Sequence, residues 1–304
     1  MLRRSLLYLS EQPLLRRWME HSPVSRKLTS RFVAGKALAD GIRVLQKLSA
    51  ENILGTLDHL GENVNSLADA TDSTNAYFEA LAAIEQNGLP ATISIKLTQL
   101  GLNFSEQACR ANLRMLAERA RVNGCRVEVD MESSAYTDRT LRLVTELHSR
   151  LPGHVRAVIQ AYLHRSESDV RMLSARGIPV RLCKGAYQES LSVAFARKAE
   201  VDANYVRLMK FLLAEGVEPA IATHNASILR KAVRAIQEQN VAPDRYEFQM
   251  LYGIRRDLQR ELVRRGFRLR LYVPYGDAWY PYFMRRLAER PANALFLAKN
   301  LLRR

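Results

Sequence analysis

The chain has 304 residues, of which 47% are hydrophobic and 25% are charged, and these proportions are typical of a globular protein. Its 46 Lys and Arg residues outnumber its 31 acidic residues, and the formal charge of +15 predicts attraction to nucleic acid, an anionic membrane or a phosphorylated ligand. The scattered cysteines, Cys109, Cys125 and Cys183, exclude a disulfide framework and favour a reducing cytosol. No apolar run approaches the roughly 18–20 residues of a membrane-spanning helix.

The glycines and histidines exclude several common cofactor sites. Gly-x-Gly does not occur, which removes the dinucleotide fingerprint of the Rossmann fold and the glycine loop of kinases. The histidines have neither the His-x-x-x-His nor the His-Glu-x-x-His spacing, so we expect no metal site. Any nucleotide cofactor must therefore be held in some other way.

Residues 1–50 are predicted to form a helical accessory segment, because Pro13 and Pro23 break short helical patterns and residues 32–48 have the apolar spacing of a longer helix. Within this segment, residues 1–18 place leucines and Trp18 beside four arginines. That mixture suits either an anionic membrane surface or a helix packed on the rest of the protein, and the sequence leaves both open. Polar residues interrupt the first apolar stretch, so we do not expect an exported protein.

From residue 51 to the end, short β-prone runs alternate with amphipathic helical stretches, which is typical of βα units. The predicted strands lie at 53–58, 92–97, 126–130, 157–160, 180–183, 220–223, 246–249 and 269–272. The predicted helices between them include 106–121, 138–150, 202–215 and 226–239. Eight such units without a linker favour an α/β fold of the closed, TIM-like (βα)8 barrel type over residues 51–304. An open doubly wound sheet is the alternative.

Polar side chains collect at the C-terminal ends of the predicted strands, where the βα loops of a barrel build its site. They are Lys96, Asp130, Gln160, Arg181, Lys184, Thr223, His224, Gln249 and Tyr272. One polar residue at a strand end is a cap, but this many converging ends predict a binding or catalytic site.

Several of these strand ends have more than one chemical interpretation. Lys96 could be a Schiff-base nucleophile, an anion ligand, or a strand-end lysine that reaches water. The alternation in 127–130 turns the carboxylates away from the valines, and at least one carboxylate should meet a positive partner. Gly185 permits close backbone approach to a ligand beside cationic neighbours. The helix after His224 could receive a phosphate, although a single histidine is more often structural than catalytic.

Near the C-terminus, Tyr282, Arg285, Arg286 and Glu289 fall at i, i+3, i+4 and i+7 and therefore share one face of a helix. Two adjacent arginine forks suit a carboxylate or a phosphate, and Glu289 can hold Arg285 through an i,i+4 pair. A solvated helix face would have the same pattern, since Arg-Arg pairs recur along the chain. These residues alone do not decide between the two.

The chain resembles the proline dehydrogenase family, in its short monofunctional bacterial form. The resemblance rests on seven motifs in a fixed order from about residue 52 onward. They are Ser-Ile-Lys-Leu-Thr at 94–98, Val-Asp-Met-Glu at 129–132, Arg-Leu-Cys-Lys-Gly-Ala-Tyr at 181–187, Ala-Thr-His-Asn at 222–225, Glu-Phe-Gln-Met-Leu-Tyr-Gly at 247–253, Tyr-Val-Pro-Tyr-Gly at 272–276 and Tyr-x-x-Arg-Arg-x-x-Glu at 282–289. Each motif is moderately specific and their order is highly specific.

The resemblance implies a distorted (βα)8 barrel that binds FAD, with a final helix that carries arginines for the substrate. It implies oxidation of L-proline to Δ1-pyrroline-5-carboxylate, the first step of proline catabolism to glutamate. Hydride would pass from the proline ring to flavin N5, and the electrons would then pass to a membrane quinone. It also implies a cytoplasmic enzyme with peripheral contact to the anionic inner face of the membrane, a downstream pyrroline-5-carboxylate dehydrogenase, and no nucleic-acid partner.

The resemblance also implies roles for individual residues. Asp130 and Arg181 would form the catalytic pair beside the flavin. The substrate would be bound by Lys96, Arg285 and Arg286 at its carboxylate, with Glu289 fixing the arginines, and by Tyr272 and Tyr282 at its ring. The FAD would be bound by Met131, Gln160, Arg181, Lys184, Gly185, Ala186, Thr223 and His224.

Two interpretations from other functional classes remain open at this stage. A barrel lyase or aldolase could use Lys96 or Lys184 as a Schiff base with a phosphorylated substrate, and it would need no flavin. A basic nucleic-acid or membrane-binding protein would need no catalytic site, but it leaves the polar residues at the strand ends unexplained.

Overall fold

The computed structural model describes residues 29–61 and 64–289, and for residues 285–289 it describes the backbone alone. In chain order the elements are α1 (Leu38–Ala50), β1 (Leu54–His59), α2 (Leu67–Gln86), β2 (Ala91–Ile95), α3 (Glu106–Val122), β3 (Val127–Val129), a 3-10 turn (Ser134–Tyr136), α4 (Thr137–Arg150), β4 (Val155–Gln160), α5 (Ser166–Ala175), β5 (Val180–Cys183), α6 (Lys198–Glu215), β6 (Ala220–Ala222), α7 (Ala226–Glu238), β7 (Glu247–Leu251), α8 (Arg256–Arg264), β8 (Leu269–Tyr275) and α9 (Trp279–Glu289). The short helices and the basic segment predicted within residues 1–28 lie outside the described residues.

The strands form a closed parallel barrel in sequence order, β1 to β8. The barrel closes where β8 pairs in parallel with β1, with Leu57 opposite Val273 and His59 opposite Tyr275. Every predicted strand is present, and the prediction of a TIM-like (βα)8 barrel is confirmed. The open doubly wound sheet is excluded, because such a sheet has two unpaired edges.

The apolar core lies between the strands and the surrounding helices. Outward-facing residues such as Ile93 and Val129 are fully buried there, and α4 contributes Leu141, Val144 and Leu147 at helical spacing. Burial of these side chains fixes each helix against the outside of the barrel. Within the described ranges, no helix combines the length and the hydropathy that crossing a bilayer requires.

The interior of the barrel is polar, unlike the apolar filling usual in this architecture. Gln249 on β7 donates to Glu128 on β3 at 3.2 Å, and Arg156 on β4 donates to Glu247 on β7 at 2.5 Å. These bonds cross the barrel between strands that are not neighbours, so the side chains point inward. Interior polar groups at this depth are stable only when they are hydrogen-bonded to one another.

The helix predicted over residues 32–48 starts later, at Leu38, and this part of the prediction was wrong. Residues 31–35 instead cross the rim of the barrel, where Ala34 N donates to the carbonyl oxygen of Pro274 and Gly35 accepts from Gly276 N. These backbone groups are used in tertiary contacts, so they cannot form helical bonds. The remainder of the predicted helix packs its buried residues, among them Leu45 and Leu48, on the barrel.

Candidate active site

The C-terminal rim of the barrel surrounds a cavity of about 860 Å³. The predicted site residues that line it are Lys96, Asp130, Met131, Gln160, Arg181, Lys184, Gly185, Ala186, Thr223, His224, Tyr272 and Tyr282. The helix α9 contains the other three, Arg285, Arg286 and Glu289, whose side chains lie outside the described part of the structure. The strand ends therefore converge on one cavity, as the sequence predicted, while the individual roles remain predictions.

Asp130 and Arg181 form an ion pair at the floor of this cavity. The guanidinium NH1 of Arg181 donates to Oδ1 of Asp130 at 2.6 Å, and the hydroxyl of Ser94 donates to the same oxygen at 2.9 Å. The phenol of Tyr272 donates to Oδ2 of Asp130 at 2.7 Å. Since both carboxylate oxygens accept hydrogen bonds, Asp130 is held in one position. Burial and the nearby Asp130 carboxylate raise the pKa of Tyr272 well above its ordinary value, so its phenol stays protonated and remains a donor.

Arg181 is held on its other side by Glu128, which lies two residues before Asp130 on the same strand. Its NH2 group donates to Oε2 of Glu128, and its guanidinium carbon lies 5.4 Å from the ring centroid of Tyr272. Burial alone would lower the pKa of Arg181, but Glu128 and Asp130 raise it above its ordinary value. The Nε atom of Arg181 is buried and has no hydrogen-bond partner among the described residues. The site therefore contains a permanently charged guanidinium with one unused donor.

Beneath this pair lies a buried network of charged side chains that closes the barrel. Glu128 accepts from Arg156 at 3.2 Å and lies 3.9 Å from Arg270, and Glu247 accepts from Arg270 at 3.0 Å. Together with Asp130 and Arg181, the cluster has equal numbers of positive and negative groups. Burial would raise the pKa of Glu128, but the surrounding guanidiniums hold it at about 2. The network therefore stays ionised, and it fixes the floor on which Arg181 rests.

Lys96 is held by a carboxylate that the sequence interpretation did not include. Its Nζ lies 3.3 Å from Oδ1 of Asp58, which lies near the end of β1 and is only 1% exposed. Asp58 also lines the cavity. The sequence did contain a signal for Asp58. Like Lys96, it is a charged residue near the end of an apolar strand. The ion pair keeps the lysine at the rim as an oriented cation.

The loop after β5 brings Lys184, Gly185 and Ala186 to the cavity wall. Lys184 forms an ion pair with Asp202 on α6. Gly185 has a positive φ of 108°, and a Cβ there would lie 2.1 Å from the ring of Tyr162. Only glycine fits this turn without strain, so the glycine is required by the path of the loop.

The adjoining wall is formed by the ends of β6 and β7. The side chain of Asn225 caps α7 by accepting from Ser227 N at 2.9 Å, so the start of this helix faces the cavity with a defined geometry. His224 accepts a hydrogen bond at Nε2 from the backbone N–H of Leu251 at 2.8 Å. This bond fixes the ring orientation, and it supports the structural interpretation of this histidine. Gln160 is likewise held, because its amide donates to the carbonyl oxygen of Glu132 at 2.8 Å.

Other residues line the cavity although sequence reasoning gave them no role there. They include Tyr187, Lys198, Asn225 and Arg255. Tyr187, Asn225 and Arg255 come shortly after a strand end, a position that does not by itself distinguish a lining residue from a solvated loop residue, and Lys198 at the start of α6 had no such signal. Among the described residues, no group of three His, Cys, Asp or Glu side chains is placed to hold a metal ion.

Comparison with known proteins places the chain in a family. The family model described as Proline dehydrogenase matches residues 42–299. The chain is 36% identical to Proline dehydrogenase 1 of Bacillus subtilis (strain 168) over 304 residues, which cover 100% of both chains. It is also 36% identical to the Proline dehydrogenase of Deinococcus radiodurans, over 99% of this chain and 98% of that one.

A solved structure shows the same fold. Proline utilization A (PutA) from Bdellovibrio bacteriovorus, inactivated by N-propargylglycine, superposes with a TM-score of 0.82 at 29% identity. The match covers 87% of this chain and 33% of that longer chain. With a matching family model and full-length relatives above 30% identity, the chain belongs to the proline dehydrogenase family of oxidoreductases.

Proposed function

We propose that the protein is an FAD-dependent enzyme that oxidises L-proline to Δ1-pyrroline-5-carboxylate, the first step of proline catabolism. The observation that carries this proposal is the buried Arg181, held between Asp130 and Glu128 at the floor of the rim cavity, whose Nε has no partner within residues 29–61 and 64–284. Such a fixed cation beside a cavity stabilises negative charge that develops on a bound electron acceptor. Membership of the proline dehydrogenase family supports the choice of substrate.

The residues around the cavity fit FAD. The cavity volume of about 860 Å³ lies within the range of roughly 300–1,000 Å³ typical of ligand and cofactor sites. The Nε of Arg181, which has no partner in the described part of the chain, is a buried donor that a bound acceptor atom would satisfy. The residues proposed to hold the cofactor are Met131, Gln160, Lys184, Gly185, Ala186, Thr223 and His224, all of which line the cavity. When bound, FAD supplies a two-electron acceptor at its N5 position.

The capped start of α7 supplies a further feature suited to this cofactor. Backbone N–H groups at a helix N-terminus favour phosphate oxygens, both through hydrogen bonds and through the helix dipole. Asn225 and Ala226 at this terminus line the cavity, as does Lys198 at the start of α6. We propose that this part of the wall binds the negatively charged portion of the cofactor.

The chain's own groups orient the substrate. Lys96, oriented by Asp58, is proposed to bind the proline carboxylate together with Arg285 and Arg286, while Glu289 fixes the two arginines. Tyr272 and Tyr282 are proposed to pack on the ring of proline, and both line the cavity, Tyr282 buried and Tyr272 half-buried. Holding the carboxylate at one end and the ring between aromatic faces places one ring carbon in a fixed position. Such orientation removes much of the entropic part of the barrier.

Asp130 is proposed to contribute by fixing its neighbours. Both of its oxygens accept hydrogen bonds, from Arg181 on one side and from Tyr272 on the other. Asp130 therefore sets the distance between the guanidinium of Arg181 and the ring of Tyr272, which is proposed to contact the substrate.

We further propose that the electrons pass to a membrane quinone, with peripheral contact between the protein and an anionic membrane surface. The charge of +15 supports such contact. The product would pass to a pyrroline-5-carboxylate dehydrogenase. A relative called Bifunctional protein PutA in Escherichia coli (strain K12), 29% identical over 95% of this chain and 25% of that protein, supports a link to a second activity.

The Schiff-base lyase is not favoured, because both candidate lysines have carboxylate partners. Lys96 lies beside Asp58 and Lys184 beside Asp202. A Schiff-base lysine has to attack a carbonyl carbon, and each of these side chains is instead held in an ion pair with a carboxylate.

The visible absorption spectrum of the purified protein tests the proposed function. We expect a yellow protein whose flavin band bleaches on anaerobic addition of L-proline. A colourless protein that also fails to take up added FAD would overturn the proposal. A flavin band that persists after addition of L-proline would overturn the substrate assignment.

A further inference from the structure

The segment of residues 31–35, here called the rim strap, lies on the rim of the barrel beside the ends of β7 and β8, before α1 begins. Its backbone is joined to the end of β8 by two hydrogen bonds. Ala34 N donates to the carbonyl oxygen of Pro274 at 2.9 Å, and Gly276 N donates to the carbonyl oxygen of Gly35 at 3.0 Å. The strap is therefore bound to the loop from which the final helix, α9, starts.

The loop after β7 is shaped to admit the strap. Gly253 has a φ of 75°, and a Cβ at this position would lie 1.6 Å from the carbonyl oxygen of Arg31. No side chain other than hydrogen fits in that space. The strap consequently touches the loops that follow both β7 and β8, and it links two adjacent parts of the rim.

The strap also forms part of a small apolar core that is separate from the core of the barrel. Its members are Phe32, Val33, Leu60, Ile254, Trp279, Tyr280, Tyr282, Phe283 and Met284. The rings of Phe32 and Phe283 lie 5.9 Å apart, and the rings of Trp279 and Phe283 lie 6.2 Å apart. The apolar face of α9 thus packs on the strap and on two rim loops.

The small core is connected to the cavity by Tyr282, which packs in the small core and also lines the cavity. Arg285 and Arg286 follow in the next turn of the same helix. Any change in the position of α9 moves these residues relative to Lys96, which follows β2 and lines the same cavity. The separate core is therefore coupled to the geometry of the site.

We propose that Phe32 and the rim strap are a positioning element that holds α9 against the barrel in the arrangement that binds substrate. The proposal rests on the proposed function, because it takes the substrate to be L-proline. Loss of the strap contact lowers the fraction of protein with α9 correctly placed. The apparent affinity for substrate falls by that same fraction, whereas saturating substrate restores the placed state.

Phe32→Ala in the full-length protein tests the proposal by steady-state kinetics. We expect the KM for L-proline to rise at least ~tenfold while kcat stays within ~twofold of the wild type. Phe32→Leu, which keeps most of the apolar volume, should restore KM to within ~threefold of the wild type. Ile84→Ala is the matched control, since Ile84 is buried in the main core near the end of α2 that is remote from the rim.

A second measurement follows α9 directly and does not depend on turnover. Trp279 is 6% exposed and lies in the small core, and Trp18→Phe makes it the single tryptophan of the chain. In that background, Phe32→Ala should increase quenching of Trp279 fluorescence by acrylamide, and Ile84→Ala should not. Added L-proline should reduce the quenching in the Phe32→Ala protein, because substrate favours the placed helix.

Unchanged KM and unchanged quenching in Phe32→Ala would overturn the proposal, as would an equal rise of KM in Ile84→Ala. Should the wild type fail to oxidise L-proline, the proposed function fails, and the quenching comparison then decides alone whether the strap holds α9. The two failures are thereby distinguished.

Discussion

The buried carboxylate of Glu128 gives the sharpest test of how the barrel supports its site. Its side chain is fully buried and makes ion pairs with Arg181 and Arg156, with Arg270 at 3.9 Å. Glu128→Gln keeps the size of the side chain but leaves one uncompensated positive charge in the barrel interior. Removing one partner of a buried ion pair typically costs about 3–5 kcal/mol. We expect a loss of that order in the free energy of unfolding.

Urea unfolding of the wild type and the variant measures this loss. The matched control is Glu118→Gln, which removes an exposed carboxylate 3.7 Å from Arg114 on the surface of α3. An exposed pair contributes at most about 1 kcal/mol, so the control should unfold near the wild-type midpoint. If the free energy of unfolding of Glu128→Gln also fell by less than about 1 kcal/mol, the buried network would not stabilise the floor of the barrel.

Further predictions concern acid stability and the cavity. The pKa of Glu128 is about 2 in the folded protein, against 4.5 ordinarily. Its contribution to the free energy of unfolding should therefore be complete above pH 4.5 and disappear as the pH falls through 2. In Glu128→Gln, the free energy of unfolding should fall less steeply with decreasing pH than in the wild type. Gly185→Ala should lower the ratio of bound flavin to protein in absorption spectra, because its Cβ would collide with Tyr162. Arg286→Met should raise the KM for L-proline strongly while flavin stays bound, and loss of FAD instead would mean that the arginine serves the cofactor. Asp58→Asn should raise the KM for L-proline by roughly tenfold, since the variant loses the carboxylate charge that orients Lys96. Unchanged kinetics would contradict that role.

The sequence was informative wherever a local pattern sets the structure. Strand β5 matches its predicted bounds, because an apolar run with cations at its end has few other interpretations. Strand β8 extends past its predicted end to Tyr275, since pairing with β1 continues beyond Pro274, which cannot donate a hydrogen bond. The start of α1 was placed too early, because residues 31–35 are bound by rim loops far away in sequence.

The site was predictable to the extent that it lies at strand ends. Lys96, Asp130 and Arg181 all reach one cavity, as expected from the direction of parallel strands. The residues that form hydrogen bonds and ion pairs with them were harder to predict from the sequence. Glu128 meets Gln249 across 121 residues of sequence, and this contact depends on the closure of the barrel. Sequence alone could indicate that a buried carboxylate needs a cation, but not which strand would provide it.

The central claim is that this cavity couples oxidation of L-proline to reduction of a bound flavin. An anaerobic single-turnover experiment with one equivalent of L-proline per flavin tests it most directly, with flavin reduction and Δ1-pyrroline-5-carboxylate measured in the same sample. We predict one product molecule for each flavin reduced. Flavin that stays oxidised, or a proline adduct on lysine trapped by borohydride without flavin reduction, would contradict the account.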